Sequence, residues 1–285
     1  MLKHAYLIIA HNEFEVLQKL IFALDDYRND IYIHFDAKVE IIPKIDCQNS
    51  ALFILHDRIN VTWGDVSQIQ AEYKLWEAAV VYKYSFYHLI SGTHFPLKGN
   101  SDLYMHFEKH GKSIFHLMET STEEIDMKIR RYNVFSKYMM SFRYGSKRYI
   151  FGRLGWNLCH KLQKMIGFRR YRNDLFYKSS NWVSLTHEVV NYLIKHKKSI
   201  LLKYKYTFCA DEFFVLSELM NSPFKNQLIF SYKYLCQDWI STNPRIYYLI
   251  DFDDIMQSGC LFARKFSRIS LPLLDKISNR IHGRF

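Results

Sequence analysis

Between residues 5 and 90 the chain alternates two hydrophobic periods, and that alternation limits the fold more than any other feature. Ala5 to Ala10 is an unbroken apolar run of strand length. Phe14, Leu17, Ile21 and Leu24 then recur at helical spacing. Ile31 to Phe35 is a second strand-like run ending at Asp36; Ile69, Tyr73, Trp76 and Val80 mark another helix, and Phe86 to Ile90 a third strand. Apolar runs separated by amphipathic helices predict an α/β fold with a mainly parallel sheet flanked by helices. Ligands of such sheets sit beyond the carboxyl ends of the strands, so the first two strands deliver His11 and Asp36 to one rim. Further on, Trp182 to Leu185 reads as a strand, Thr186 caps a helix running to about Lys197, and Asp211 to Met220 reads as another helix. No linker rich in Pro, Gly or Ser divides the chain, which predicts one domain over residues 1–285.

Composition narrows the partners. A hydrophobic fraction of 49%, with 22 Phe and 21 Tyr, supplies a large core and excludes disorder as the main state. The net charge of +11 points to an anionic partner: nucleic acid, anionic lipid or a phosphorylated substrate. The five cysteines are scattered without a CxxC pair, which fits a reducing compartment. No apolar stretch is long enough to cross a bilayer, so a cytoplasmic protein is expected, dissolved or held peripherally on the inner face of the plasma membrane. The first turn lacks GxGxxG and GxxxxGK[ST], and only 10 glycines are present, so side-chain cations rather than backbone must hold any diphosphate.

From Met127 to Asn173 there is no Asp or Glu, but about a dozen Lys and Arg interleaved with aromatics. Within this stretch Phe151, Leu154, Leu158, Leu162 and Met165 recur every three or four residues, with Arg153, Lys161 and Lys164 off the stripe. Two readings stand: a core-packing helix with a solvated basic face, or an interfacial helix on anionic lipid or beside a lipid-diphosphate substrate. The tail from Lys265 to Arg280, with Ile269, Leu273 and Ile277 and a break at Pro272, could serve the same surface. A strand of nucleic acid tracking the basic aromatic stretch is the rival of another class, but recognisable nucleic-acid modules are missing, and no nucleic-acid partner is expected.

Several residues could carry chemistry. Glu212, in the first turn of the helix expected from Asp211, is either a simple complement to the helix dipole or a general base. Arg245 follows Pro244 and suits bidentate phosphate contacts. Lys265 stands among aromatics, where it either snorkels or meets an anion. Asp251-Phe252-Asp253 matches the DxD metal pattern, but its late, loop-like position assigns it to loop solvation, with a metal site as the lesser reading. The histidines show no zinc spacing, and no metal or cofactor is expected.

Six ordered stretches and a closing element carry a resemblance. They are Ala5 to His11; Ile33 to Lys38; Trp63-Gly64 with Gln70-Ala71; Ser91-Gly92 with Phe95 to Lys98; Ser180 to Trp182; Asp211-Glu212 with Asn221 to Phe224; and finally Trp239, Pro244-Arg245 and Leu261 to Phe266. The chain resembles the core-2/I-branching β-1,6-N-acetylglucosaminyltransferases and their relatives, the peptide xylosyltransferases. The resemblance implies a GT-A-like, Rossmann-type single catalytic domain and an inverting, metal-independent transfer from a UDP-sugar to a glycan or lipid-linked glycan. On this view about 1–120 is the nucleotide-binding half, about 127–173 a basic amphipathic insertion and about 175–266 the acceptor and catalytic half. Glu212 matches the base. Ile9, His11, Asp36 and Trp63 match donor-binding positions, Arg245 and Lys265 the cations at the diphosphate, and Glu119 and Trp239 acceptor-contacting positions. The chain departs from the family at His94, where an acidic residue is usual, and at Asn243, where a His is frequent. Lacking the anchor and disulfides of the animal enzymes, it suits a bacterial enzyme of surface-polysaccharide synthesis.

Overall fold

The computed structural model describes residues 2–241 and 243–283. It opens with β1 (His4–Ala10), α1 (Phe14–Leu24), β2 (Asn29–Phe35), β3 (Ala51–Ile54), α2 (Ser67–Ala79) and β4 (Phe86–Ser91). Every residue of β1, β2 and β4 is buried, as parallel strands covered on both faces require. The apolar pattern does not announce β3, a short edge strand left half exposed. Next come β5 (Phe95–Pro96), α3 (Asn100–His110), β6 (Ser113–Leu117), α4 (Thr122–Lys128), α5 (Ser136–Ser141), α6 (Lys147–Met165), β7 (Ser179–Thr186), α7 (His187–Lys195) and α8 (Lys197–Tyr204). The last third holds α9 (Phe214–Met220), β8 (Leu228–Phe230), β9 (Leu235–Cys236), β10 (Trp239–Ile240), β11 (Asn243–Pro244), α10 (Phe252–Gln257), β12 (Phe262–Ala263) and α11 (Leu271–Ile281).

The main sheet has seven strands in the order β3-β2-β1-β4-β7-β6-β8. Only β7 runs against its neighbours, so the sheet is mixed but mostly parallel, with helices on both faces. The chain builds outward from β1 to β3, then returns to the other side of β1 with β4. That reversal opens a crevice at the carboxyl ends of β1 and β4. Because the two crossovers run in opposite directions and are right-handed, they place α1 and α2 on opposite faces. The α11 helix packs on α1, while α7 and α8 pack on α2. A three-stranded sheet, β5-β12-β9, and the hairpin β10-β11 complete the order of strands.

Four expectations need correction. The helix from Thr186 ends at Lys195, and α8 starts afresh at Lys197. His196 turns its ring Nδ1 back to the carbonyl of Tyr192, 2.8 Å away, and leaves helical geometry. The helix expected from Asp211 starts only at Phe214, and Asp211-Glu212 lies in a separate 3-10 turn, Ala210–Glu212. The tail does not serve an exposed surface: α11 buries Leu273, Leu274 and Ile277, and Pro272 sits in its first turn, where its missing N–H costs nothing. The stripe on α6 is not core, since Phe151, Leu154, Leu158, Leu162 and Met165 are each 52% to 73% exposed. Among the described residues, no helix is long and apolar enough to cross a membrane.

Candidate active site

The first part of the site follows from the sheet. Where β1 ends, Asp36 donates its backbone N–H to the carbonyl of Ala10, 2.9 Å away, so the ends of β1 and β2 are tied together. The buried Asp36 carboxylate accepts from the backbone of Lys38 at 2.9 Å and pairs with its ammonium at 3.2 Å. His11, the residue after β1, is lowered below the usual histidine range by desolvation, against which Asp36 draws it up. Ile9 is buried in β1 and presents its carbonyl to the N–H of Gly92, 2.9 Å away. A side chain at Gly92 would press on Ala10 at 3.3 Å, so glycine allows this close approach.

The second part is carried in by the small sheet. The strand β12 lies between β5 and β9 and runs out at Arg264-Lys265. Phe266 N–H bonds to the Thr93 carbonyl at 3.1 Å, tying this exit to the loop after β4. Backbone bonds then lace three distant segments: Arg245 N–H to Asp238 carbonyl at 2.8 Å, Lys265 N–H to Arg245 carbonyl at 3.3 Å, and Tyr247 N–H to Lys265 carbonyl at 3.1 Å. Arg245 and Lys265 are therefore neighbours.

Their charges differ in availability. Arg245 is already bound to Asp251 at 2.5 Å and Asp238 at 3.4 Å. This corrects the reading of Asp251-Phe252-Asp253 as a solvated loop. Asp251 is buried at the end of a 3-10 turn, holding Arg245 and the Tyr248 N–H, while Asp253 is exposed in the first turn of α10. Among the described residues, no group of three or more His, Cys, Asp or Glu could hold a metal ion. Lys265 forms no ion pair among the described residues and is lowered by burial and then by Arg264. Arg264 is a functional candidate that the sequence reading passes over. It lies 5.3 Å from the centre of the Trp182 ring, has no carboxylate partner among the described residues, and leaves Nε without a hydrogen bond. Burial lowers it to about 10. One signal could have found it: Arg264 adjoins Lys265 inside the otherwise apolar run from Leu261 to Phe266, whose apolar residues are all buried. His94, where the resemblance expects an acid, is buried and kept neutral by desolvation and then by Arg264. A carboxylate there would compensate Arg264, whereas imidazole leaves the guanidinium charge open.

The third part surrounds Glu212. Gly64, at φ +73°, accepts the Cys209 N–H at 2.9 Å, and Phe208 donates to the Lys128 carbonyl at 2.8 Å. These bonds hold the strand of chain leading into the Ala210–Glu212 turn, which packs on α2 and β7. Oε2 of Glu212 faces Lys128 at 3.2 Å and Lys178 at 3.7 Å, and both lysines also bind Glu124, at 2.8 and 2.7 Å. Oε1 of Glu212 has no hydrogen-bond partner among the described residues. Burial raises Glu124, but the hydrogen bonds from Lys128 and Lys178 outweigh it and hold the group at about 2. Asp211 is raised to about 7 by burial and then by the charge of Glu212. Glu72, fully buried on α2 with Oε2 unpaired among the described residues, is raised well above the usual range by burial and then by Asp211. Near neutral pH Glu72 keeps its proton and Asp211 keeps it in part, which lowers the acidic charge behind the Glu212 turn.

Strand β7 links the second and third parts. Lys178 beside Glu212 and Trp182 against Arg264 are four residues apart, about 13 Å of strand. Trp63 is 64% exposed and packs edge-on against Phe208 at 5.5 Å, in the segment that leads into the Glu212 turn. Glu119 is exposed just beyond β6, where Met118 N–H bonds to the Lys178 carbonyl at 3.2 Å. Trp239 is exposed on β10 and pairs with Pro244, next to Arg245.

The arrangement pairs open cations with a half-open carboxylate at a strand-end crevice, which suits transfer of a group carried on a diphosphate. Among solved structures, the apo form of mouse xyloside xylosyltransferase 1 aligns over 92% of this chain and 96% of that chain, at 8% identity and a TM-score of 0.40. No curated protein matches the chain. The sequence model of the Core-2/I-Branching enzyme family matches residues 4–245, and the chain belongs to that family of glycosyltransferases.

Proposed function

We propose that this glycosyltransferase moves a sugar, N-acetylglucosamine in the first instance, from its UDP carrier to a hydroxyl of a glycan, with inversion and without a metal. A xylose or other UDP-sugar on the same scaffold is the alternative donor. The observation that carries this reading is the pair Arg264 and Lys265, two cations without a carboxylate partner among the described residues; Lys265 is bonded through its backbone to Arg245, and the next residue, Phe266, is tied to Thr93 in the loop that Gly92 anchors on Ile9 of β1. A diphosphate is the anion whose charge matches them. His11, Asp36 and Ile9 would hold the uridine end, with Trp63 at the mouth. Glu119 and Trp239 would meet the acceptor.

Oε1 of Glu212 takes the proton of the acceptor hydroxyl while its oxygen attacks the anomeric carbon. The bond from that carbon to the diphosphate breaks on the opposite face, and configuration inverts. Lys128 and Lys178 keep Glu212 in place through Oε2. Charge growing on the departing UDP is stabilised by Lys265, Arg264 and Arg245. The setting we propose is a bacterial, cytoplasmic enzyme of surface-polysaccharide synthesis, one catalytic domain with a donor half at about 1–120 and an acceptor half at about 175–266.

Glu212→Gln keeps the shape and removes the base. Isothermal titration should show UDP binding unchanged, while transfer from UDP-N-acetylglucosamine, measured as UDP release with a mixed glycan acceptor set, falls by roughly 10² or more. Undiminished transfer by this variant would remove Glu212 from the mechanism. Activity in excess EDTA should persist; a strict manganese requirement refutes the metal-independent reading.

A further inference from the structure

Most of this chain's amphipathic stripes are covered by something. The α6 stripe is not. Helix α6 is capped by Ser146, whose hydroxyl accepts the Tyr149 N–H, and packs inward on the segment that begins at Tyr132. Trp156 and His160 both reach Asn133 Oδ1, at 2.8 and 2.9 Å, Gln163 brackets the backbone of Tyr132, and Gly155 lies against the Phe135 ring. At about 100° per residue, Phe151, Leu154, Leu158, Leu162 and Met165 fall on the far side of the helix, in a row of roughly 20 Å. A continuous apolar row of that size on a protein surface marks an interaction site.

Its surroundings decide the partner. No residue from 127 to 173 is acidic, and among the described residues no cation from 131 to 168 is in an ion pair. Lys147, Arg148 and Lys161 flank the apolar row, and Tyr138 and Phe142 line a recess of about 320 Å³ with Lys147, Arg148 and Phe151. Apolar side chains bordered by unpaired cations complement an anionic lipid surface, where headgroups meet the charges and the acyl boundary takes the apolar row. A second copy would bring the same unpaired cations face to face, so self-association is disfavoured by charge.

We infer that the α5–α6 hairpin is a docking surface for an anionic lipid membrane. The hairpin also adjoins the candidate cleft: Trp156 lies 6.4 Å from the Phe208 ring, and Ser141 Oγ is 3.4 Å from Thr62 Oγ1. Docking therefore holds the rim with Trp63 and Glu212 beside the headgroups, where a lipid-carried glycan offers its hydroxyls. That consequence rests on the transferase reading; the docking itself does not.

Flotation of the full chain tests it, using phosphatidylcholine vesicles with and without about one third phosphatidylglycerol. The chain should float with anionic vesicles and stay down with neutral ones. Phe151→Ser combined with Leu158→Ser, and separately Lys147→Glu combined with Lys161→Glu, should each lower the bound fraction at least tenfold. Both should melt like the parent and bind UDP as well as it does, and Glu212→Gln should float like the parent. Failure of the parent to float overturns the docking without touching the transferase reading. So does flotation of both double variants to the same extent as the parent. A dimer in sedimentation, or a gel shift with single-stranded nucleic acid, that the Phe151→Ser, Leu158→Ser variant abolishes while flotation is unaffected would assign the surface to that partner instead.

Discussion

Gly64→Ala should damage stability and transfer together, and the structure gives the size. Gly64 has φ +73°, where a side chain costs about 1–2 kcal/mol. Its new Cβ would also lie 2.6 and 2.9 Å from two atoms of the Phe208 ring. That ring is held edge-on by Trp63 and lies against Trp156, so it cannot swing away cheaply. Overpacking of this kind adds about 1–3 kcal/mol. The sum is about 2–5 kcal/mol, readable as a lower urea midpoint with an unchanged slope. Because the Gly64 carbonyl holds Cys209, three residues before Glu212, transfer should fall by more than the unfolded fraction explains. A cycle with Phe208→Ala separates the parts: in that background Gly64→Ala should cost only the backbone share, about 1–2 kcal/mol. A single variant within about 0.5 kcal/mol of the parent, or a cost unchanged when the ring is removed, would refute the reasoning.

Asp211 holds a proton up to about pH 7 in the folded chain, whereas the unfolded chain releases it near pH 4. Its contribution is thus fully present below about pH 4 and is lost as pH rises to about 7. Asp211→Asn should gain on the order of 2 kcal/mol over the parent at pH 8, after a discount for partial exposure, and little at pH 4. Identical pH slopes in guanidinium titrations would count against it. Arg264→Met should weaken UDP at least tenfold in titration calorimetry with little loss of stability, since it strands no carboxylate; unchanged affinity would exclude Arg264 from the donor site. Arg245→Ala should instead destabilise by about 2 kcal/mol or more, because Asp251 stays buried without its partner; an unaltered melt would contradict that. Ile277→Ala, inside the α11 contact, should cost about 2–4 kcal/mol and Leu158→Ala close to none, a contrast that thermal melts can check.

Local pattern explains what was legible. Apolar runs at Ala5–Ala10, Ile31–Phe35 and Phe86–Ile90 can be satisfied only as buried parallel strands, so the rim carrying His11 and Asp36 is determined by sequence. The lack of glycine-rich phosphate loops directs attention to side-chain cations, and Arg245 and Lys265 do meet. Period alone leaves other matters open. The stripes of α6 and α11 look alike in sequence, yet one is bare and the other buried, because a repeat reports that a side is apolar and not what covers it. The grip of Lys128 and Lys178 on Glu212, the capture of Arg245 by Asp251, and the placing of Arg264 over the Trp182 ring are set by the folded chain. Such pairings depend on distances of a few ångströms between side chains, and only the folded backbone sets those distances.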